Sequence, residues 1–220
     1  LGLSPAAIAA TVNQAAVRAA RAGDAQVFMQ HMADAIETAH LGELNGTLLT
    51  PAELYRTAIH EAGHALASVL RQSGKVEKVT VLPRGSALGV TFISQEEAMK
   101  MHTENTLKHR IDVMLAGRCA EEILFGDVSN GAASDLHHAT DIATGMIARF
   151  GFGSGLAVLS REQLSSAAFL EQLNGLLGTR YAETRALLTE YRASLEAIAE
   201  RLLKEETIEG SVVRELAGVA

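Results

Sequence analysis

Apolar residues recur at helical spacing along most of the chain. Ile8, Val12, Ala15, Ala16 and Ala19 share one face and predict a helix over residues 4–21. Ser4 suits its cap, Pro5 its first turn and Gly23 its end. Phe28, Met32, Ala35 and Ile36 predict a second helix over about residues 27–39. Residues 42–50 hold two glycines and an asparagine and read as a linker. Thr50-Pro51-Ala52-Glu53 is a capping box that opens a third helix running to Arg71, with Leu54, Ala58, Ala62, Ala65, Leu66 and Val69 on its apolar side.

The period then changes. Val76, Val79, Val81 and Val90, Phe92, Ile93 flank Pro83, Gly85 and Gly89, which predicts a small β-ribbon with strands over 76–82 and 88–94. Its edge could take an extended peptide as an added strand, or the ribbon could simply cover the core. Leu107, Ile111, Leu115 and Ile123 predict a helix over 103–125 that Gly126 ends. Arg118 and Glu122 form an i,i+4 pair on it. Ser134 suits the cap of a helix over 135–150, and residues 161–176 and 180–205 read as two amphipathic helices. The pattern is that of a mainly α, multihelical fold with a small β-ribbon.

Composition narrows the function. The net charge is −7 and Lys and Arg nowhere cluster, which argues against a nucleic-acid partner. No apolar run reaches the ~18–20 residues that span a bilayer. Cys119 is the only cysteine, so no disulfide forms within the chain, and a buried thiol in a reducing compartment is expected. The first residue is Leu1, which suggests a piece of a longer protein.

The chemistry centres on His60-Glu61-Ala62-Gly63-His64 in the third helix. Histidines four residues apart stack on one helix face and can converge on a metal at roughly 2.0–2.1 Å, the zinc–nitrogen distance. Glu61 lies about 100° round the helix from His60, beside the metal, where a carboxylate can accept a proton from water. Gly63 weakens a helix and therefore signals close approach of a neighbour. A catalytic zinc takes three protein ligands and keeps one position open. The third is sought among Glu121, Glu122, Asp135, His137, His138 and Asp141. Asp135 stands at a loop-to-helix junction, where a carboxylate is also favoured for purely structural reasons. His137 and His138 remain open on spacing alone. The histidines' outer nitrogens need acceptors, for which Glu121, Glu122 and Asp141 are candidates.

Several stretches together carry a resemblance: HEAGHA at 60–65, KVTVLPRGSALGVT at 78–91, AGRCAEEILFG at 116–126, GAASDLHHATDIA at 131–143, and more weakly GFGSGLAVLS at 151–160 and LLKEETIEGSVVRELA at 202–217. In this order they resemble the peptidase region of the FtsH family, membrane-anchored AAA ATP-dependent zinc metalloproteases. Residues 2–39 resemble the end of the AAA helical lid. The resemblance implies a zinc metallopeptidase domain over 50–220, a linker over 42–49 and the C-terminal part of the lid over 1–41. It implies His60, His64 and Asp135 as zinc ligands and Glu61 as the catalytic glutamate. It further implies a homo-hexamer, ATP and Mg2+ bound only by an ATPase module upstream, and unfolded polypeptides as substrates. It places the whole protein at the cytoplasmic face of a bacterial inner membrane or its organellar equivalent, anchored by segments absent from this chain, with this piece itself soluble. Departures are Pro5-Ala6 for the lid's usual Gly-Ala, a short linker, and Gly151-Phe152-Gly153 for Gly-Met-Ser. Two rivals remain: a non-catalytic ring-assembly module with a structural metal, and a zinc peptidase of another clan with Glu121 or Glu122 as third ligand.

Overall fold

The computed structural model describes residues 4–84, 87–94 and 101–219. Two compact units divide it: Leu1–Leu48 with Leu82–Val90, and Leu49–Val81 with Thr91–Ala220.

The smaller unit contains helices α1 (Pro5–Ala22) and α2 (Met29–Leu41). Ser4 caps α1 and Gly23 closes it at φ 80°. Ala15, Ala19 and Ala35 are buried where the two helices meet, and Arg18 donates to the Thr38 hydroxyl at 2.6 Å. The loop between the ribbon strands belongs to this unit, which its sequence does not announce. Arg84 pairs with Glu37 of α2 and donates to the Gly42 carbonyl at 3.2 Å. The Asn45 amide donates to the Pro83 carbonyl at 3.0 Å, so residues 42–49 are tethered to this loop.

The larger unit is built around α3 (Pro51–Arg71). Its capping box is formed: the Glu53 amide donates to the Thr50 hydroxyl, and the Thr50 amide donates to the Glu53 carboxylate. After it come β1 (Lys75–Thr80), β2 (Val90–Ser94) and α4 (Glu104–Phe125). The chain continues through α5 (Ala133–Ala148), α6 (Ala167–Glu190) and α7 (Arg192–Glu205). It ends in β3 (Thr207–Glu209) and α8 (Gly210–Leu216). The ribbon is a three-stranded sheet of order β2-β1-β3, with β1 and β3 antiparallel through Val79 opposite Ile208. β3 has only three residues and one buried side chain, too short for a period-2 signal.

The core explains why α3 is central. Ala58, Ile59, Ala62, Ala65 and Leu66 of α3 are fully buried with Val76, Val79, Ile198 and Leu202. Leu107, Ile111 and Leu115 of α4 meet Ala143, Met146 and Phe169 in a second cluster. α4 therefore contributes to both clusters. Its Asp112, fully buried, takes two hydrogen bonds from Arg180 of α6 at 2.7 and 2.8 Å and pairs with Arg71 at the end of α3 at 2.8 Å. Buried charge is tolerated only when paired and hydrogen-bonded in this way.

Two predicted boundaries shift. α5 starts at Ala133 without a side-chain cap; a 3-10 turn over Asn130–Ala132 precedes it, and Ser129, not Ser134, caps that turn. The predicted break near residues 177–179 is absent. α6 runs through Gly175 and Gly178 to Glu190, because each glycine costs a helix only about 1 kcal/mol and Leu173, Arg180, Thr184 and Leu188 are buried along it. Among the described residues, no helix is long and apolar enough to cross a membrane.

Candidate metal centre

α3 presents His60 and His64 on one face, and α5 brings Asp135 to them from its first turn. His60 Nε2 and His64 Nε2 lie 3.1 Å apart. Asp135 Oδ2 is 3.2 Å from the first and 3.4 Å from the second. A tetrahedral zinc with bonds of about 2.0–2.1 Å spaces its ligands about 3.3–3.4 Å apart, so this triangle has the dimensions of three zinc ligands. It is the group of three metal-competent side chains found among the described residues.

The opposite ring nitrogens fix how each ring is turned. His64 Nδ1 donates to the Val113 carbonyl at 2.7 Å, which cannot donate in return. His60 Nδ1 donates to Glu121 Oε1 at 2.8 Å. Both bonds turn the Nε2 atoms toward Asp135, the arrangement that orients metal-bound imidazoles elsewhere. Glu121 is itself held by Arg56 at 2.8 Å and by the amide and hydroxyl of Ser129 at 2.8 and 3.0 Å. Arg56 also lies over the Phe125 ring, 4.4 Å from its centre.

The site is electrostatically prepared for a cation. Burial favours a neutral Glu121, but hydrogen bonds from His60, Arg56 and Ser129 outweigh it and pull the carboxyl down to about 2. Burial likewise opposes a charged Asp135, and the two histidines hold its pKa well below the usual carboxylate range. Burial works against a proton on His60, yet Asp135 and Glu121 raise its pKa to about 10. A metal would take the place of that proton.

Glu61 sits next to the triangle, 7% exposed, and accepts a hydrogen bond at 2.7 Å from the Thr91 hydroxyl of β2. The other candidates point elsewhere. Glu121 faces the far nitrogen of His60 rather than the triangle. Glu122 takes the Tyr181 hydroxyl at 3.0 Å and Arg185 at 3.2 Å. His137 pairs with Asp141 at 3.5 Å in solvent, and His138 is exposed. Cys119 is fully buried, with its thiol pushed up to about 12 by burial. The Val113 carbonyl and Thr91 escaped sequence reasoning, because a backbone acceptor and a lone threonine leave no pattern.

Two glycines let α3 and α4 approach closely enough to build the site. A Cβ on Gly63 would stand 2.6 Å from the Ala116 carbonyl oxygen and 2.8 Å from Ala120 Cβ. A Cβ on Gly117 would meet the His60 ring itself, 2.5 Å from Nε2. The expected results therefore differ. Gly63→Ala meets rigid backbone and destabilises the fold. Gly117→Ala forces the His60 ring from its place between Glu121 and Asp135, which costs those hydrogen bonds and offsets a gain of up to about 1 kcal/mol of helix propensity. Its metal-free protein should lose less thermal stability than Gly63→Ala, while zinc affinity falls by about tenfold or more, the scale of mispositioned ligands. Isothermal titration with zinc and thermal melts of the metal-free proteins check both halves.

Known proteins resemble this chain along most of its length. The profile of peptidase family M41 matches residues 47–216. FtsH 2 of Symbiobacterium thermophilum, named an ATP-dependent zinc metalloprotease, is 35% identical over 98% of this chain and 39% of its own length. FtsH of Thermobaculum terrenum, with the same description, is 37% identical over 99% of this chain and 37% of its own length. FtsH of Thermotoga maritima is 33% identical over 93% of this chain and 37% of its own length. The chain thus spans less than two-fifths of the length of these relatives. The profile match covers most of the chain, including all three residues of the triangle and Glu61, and the chain belongs to peptidase family M41.

Proposed function

We propose that this chain is the zinc-dependent proteolytic module of a larger ATP-dependent protease, with His60, His64 and Asp135 holding the metal and Glu61 acting as general base. The observation that carries the reading is the triangle of His60 Nε2, His64 Nε2 and Asp135 Oδ2, at 3.1, 3.2 and 3.4 Å, with the Glu61 charge acting on the His60 ring. Zinc, when bound, supplies Lewis acidity that makes water nucleophilic near neutral pH and draws charge from a peptide carbonyl.

The chain's own groups do the rest. Glu61 accepts the proton of the attacking water and hands it to the leaving amine, which would otherwise depart as an unstable anion. The Val113 carbonyl and Glu121 keep both imidazoles in the tautomer that offers Nε2. Asp135 contributes a negative charge that offsets the cation. Among the described residues β2 is an end strand of the sheet, and its Thr91 touches Glu61, so an extended substrate added to this strand would lie beside the base. A closed structural site would call for a fourth ligand, and the described residues offer a group of three.

In the whole protein, residues 1–41 form the tail of an AAA lid, 42–49 the linker and 50–220 the peptidase. The assembly is a membrane-anchored hexamer at the cytoplasmic face of a bacterial inner membrane or its organellar equivalent, which degrades unfolded or unassembled proteins. The resemblance of residues 2–39 to the lid supports the first of these assignments, and the relatives' description as ATP-dependent zinc metalloproteases supports an ATP-dependent zinc protease.

Removal of the metal tests the function directly. The zinc-loaded chain should cleave casein, lose that activity on dialysis against a chelator and regain it with one equivalent of zinc. Undiminished hydrolysis by protein shown to be metal-free would refute it.

A further inference from the structure

Glu61 must present one carboxylate oxygen to water, yet a glutamate has three rotatable bonds and a broad terminal torsion. α3 places its backbone and leaves the carboxylate undirected. The direction comes from β2. Thr91 Oγ1 lies 2.7 Å from Glu61 Oε2 and 3.2 Å from the Glu61 carbonyl oxygen. A hydroxyl has one proton, and the shorter contact to the carboxylate is the stronger acceptor. The carboxylate has no proton to return, so Thr91 is the donor. One acceptor site of Oε2 is thereby taken and the carboxylate's orientation fixed, and Oε1 has no hydrogen-bond partner among the described residues.

We propose that Thr91 is a positioning residue for peptide hydrolysis: its hydroxyl anchors Oε2 of Glu61 and so assigns proton transfer to Oε1. The inference rests on the reading of Glu61 as the base. Because Thr91 belongs to the end strand of the sheet, the anchor also ties the base to the strand on which an extended substrate would lie. A movement of β2 relative to α3 would then turn the carboxylate away from the reacting water, so the strand and the base report on one another.

The test compares Thr91→Val, which keeps shape and strand propensity but removes the hydroxyl, with Thr91→Ser, which restores it. In the zinc-loaded chain acting on casein, Thr91→Val should lower kcat by about 10–100-fold, the factor carried by a lost hydrogen bond to a charged group. KM and zinc content should stay at wild-type values. Thr91→Ser should recover most of the rate. In a Glu61→Gln background, Thr91→Val should leave the residual rate unchanged, since the anchored base is already gone. A measurement independent of catalysis accompanies these. In metal-free protein, the shifts in thermal midpoint from Thr91→Val and Glu61→Ala should be non-additive.

A wild-type kcat for Thr91→Val, a serine variant as slow as the valine variant, or a defect confined to KM or zinc content would overturn the proposal. Additive thermal shifts would overturn the contact on which it stands. A wild-type rate for Glu61→Gln would instead overturn the reading of Glu61 as base, and this inference with it.

Discussion

Glu61→Gln should retain stoichiometric zinc and lose casein hydrolysis by about 10²–10⁴-fold, the range contributed by a positioned general base. Gln keeps the length, volume and an acceptor for the Thr91 hydroxyl, and Glu61 makes none of the three contacts of the triangle. Only the basicity is removed. The substitution therefore separates two roles that a less conservative change would mix, the holding of zinc and the handling of the proton. Because Glu61 is 7% exposed, an amide in its place stays within the same enclosure and finds the same donor. Zinc content by atomic emission and steady-state rates on one preparation check the prediction. A rate within tenfold of wild type at full zinc content would remove Glu61 from the mechanism.

The second large effect is expected at Asp135. Asp135→Ala should weaken zinc binding by at least about 100-fold, beyond the about 10–100-fold typical when a residue supporting a ligand is lost. Two imidazoles on one helix remain, but the negative charge that favours a cation and the contact that joins α5 to α3 both disappear. His60 has a second acid, Glu121, on its other nitrogen, so the rings themselves stay oriented. The metal-free protein loses the Asp135 contacts to both rings and should melt lower as well, so affinity is read at a temperature well below the melt of the variant. Competition with a chromophoric chelator reads the affinity. Binding as tight as in the unaltered chain would place the third ligand elsewhere.

The parts of this site that follow the helical period were legible in the chain. His60 and His64 share a face because four residues make about one turn, and the Thr50–Glu53 capping box sets where that turn begins. Asp135 lies seventy-one residues beyond His64 in the numbering, and no periodicity connects two helices. Spacing left it level with His137 and His138; the resemblance to a known family singled it out. The structure puts His137 in solvent beside Asp141 and turns Asp135 toward the histidines. Glu121 was foreseen as a possible acceptor, whereas the Val113 carbonyl was invisible, since every residue has one. Gly63 announced a close approach without naming Ala116 and Ala120 as its cause. Gly117 announced nothing, although the His60 ring rests where its side chain would be.

The fold shows the same division. Helices with caps and stripes were found within a few residues of their ends, as for α3 and α4. The break expected near Gly178 failed, because the buried Arg180–Asp112 pair and Leu188 hold α6 together against a weak local signal. Ser134 looked like a cap and is not one, since the 3-10 turn capped by Ser129 has already set the start of α5. β3 exists because β1 offers it a partner, not because three residues choose to be a strand. Tertiary context decided each of these.

Whether α3 and α5 together make one zinc site is read from an anomalous difference map at the zinc absorption edge. A single peak is expected, bonded to His60 Nε2, His64 Nε2 and Asp135 Oδ2 at about 2.0–2.2 Å, with Glu121 on the far side of the His60 ring. A peak that includes Glu121 or Glu122 in place of Asp135, or no peak between the two histidines in zinc-loaded crystals, would contradict it.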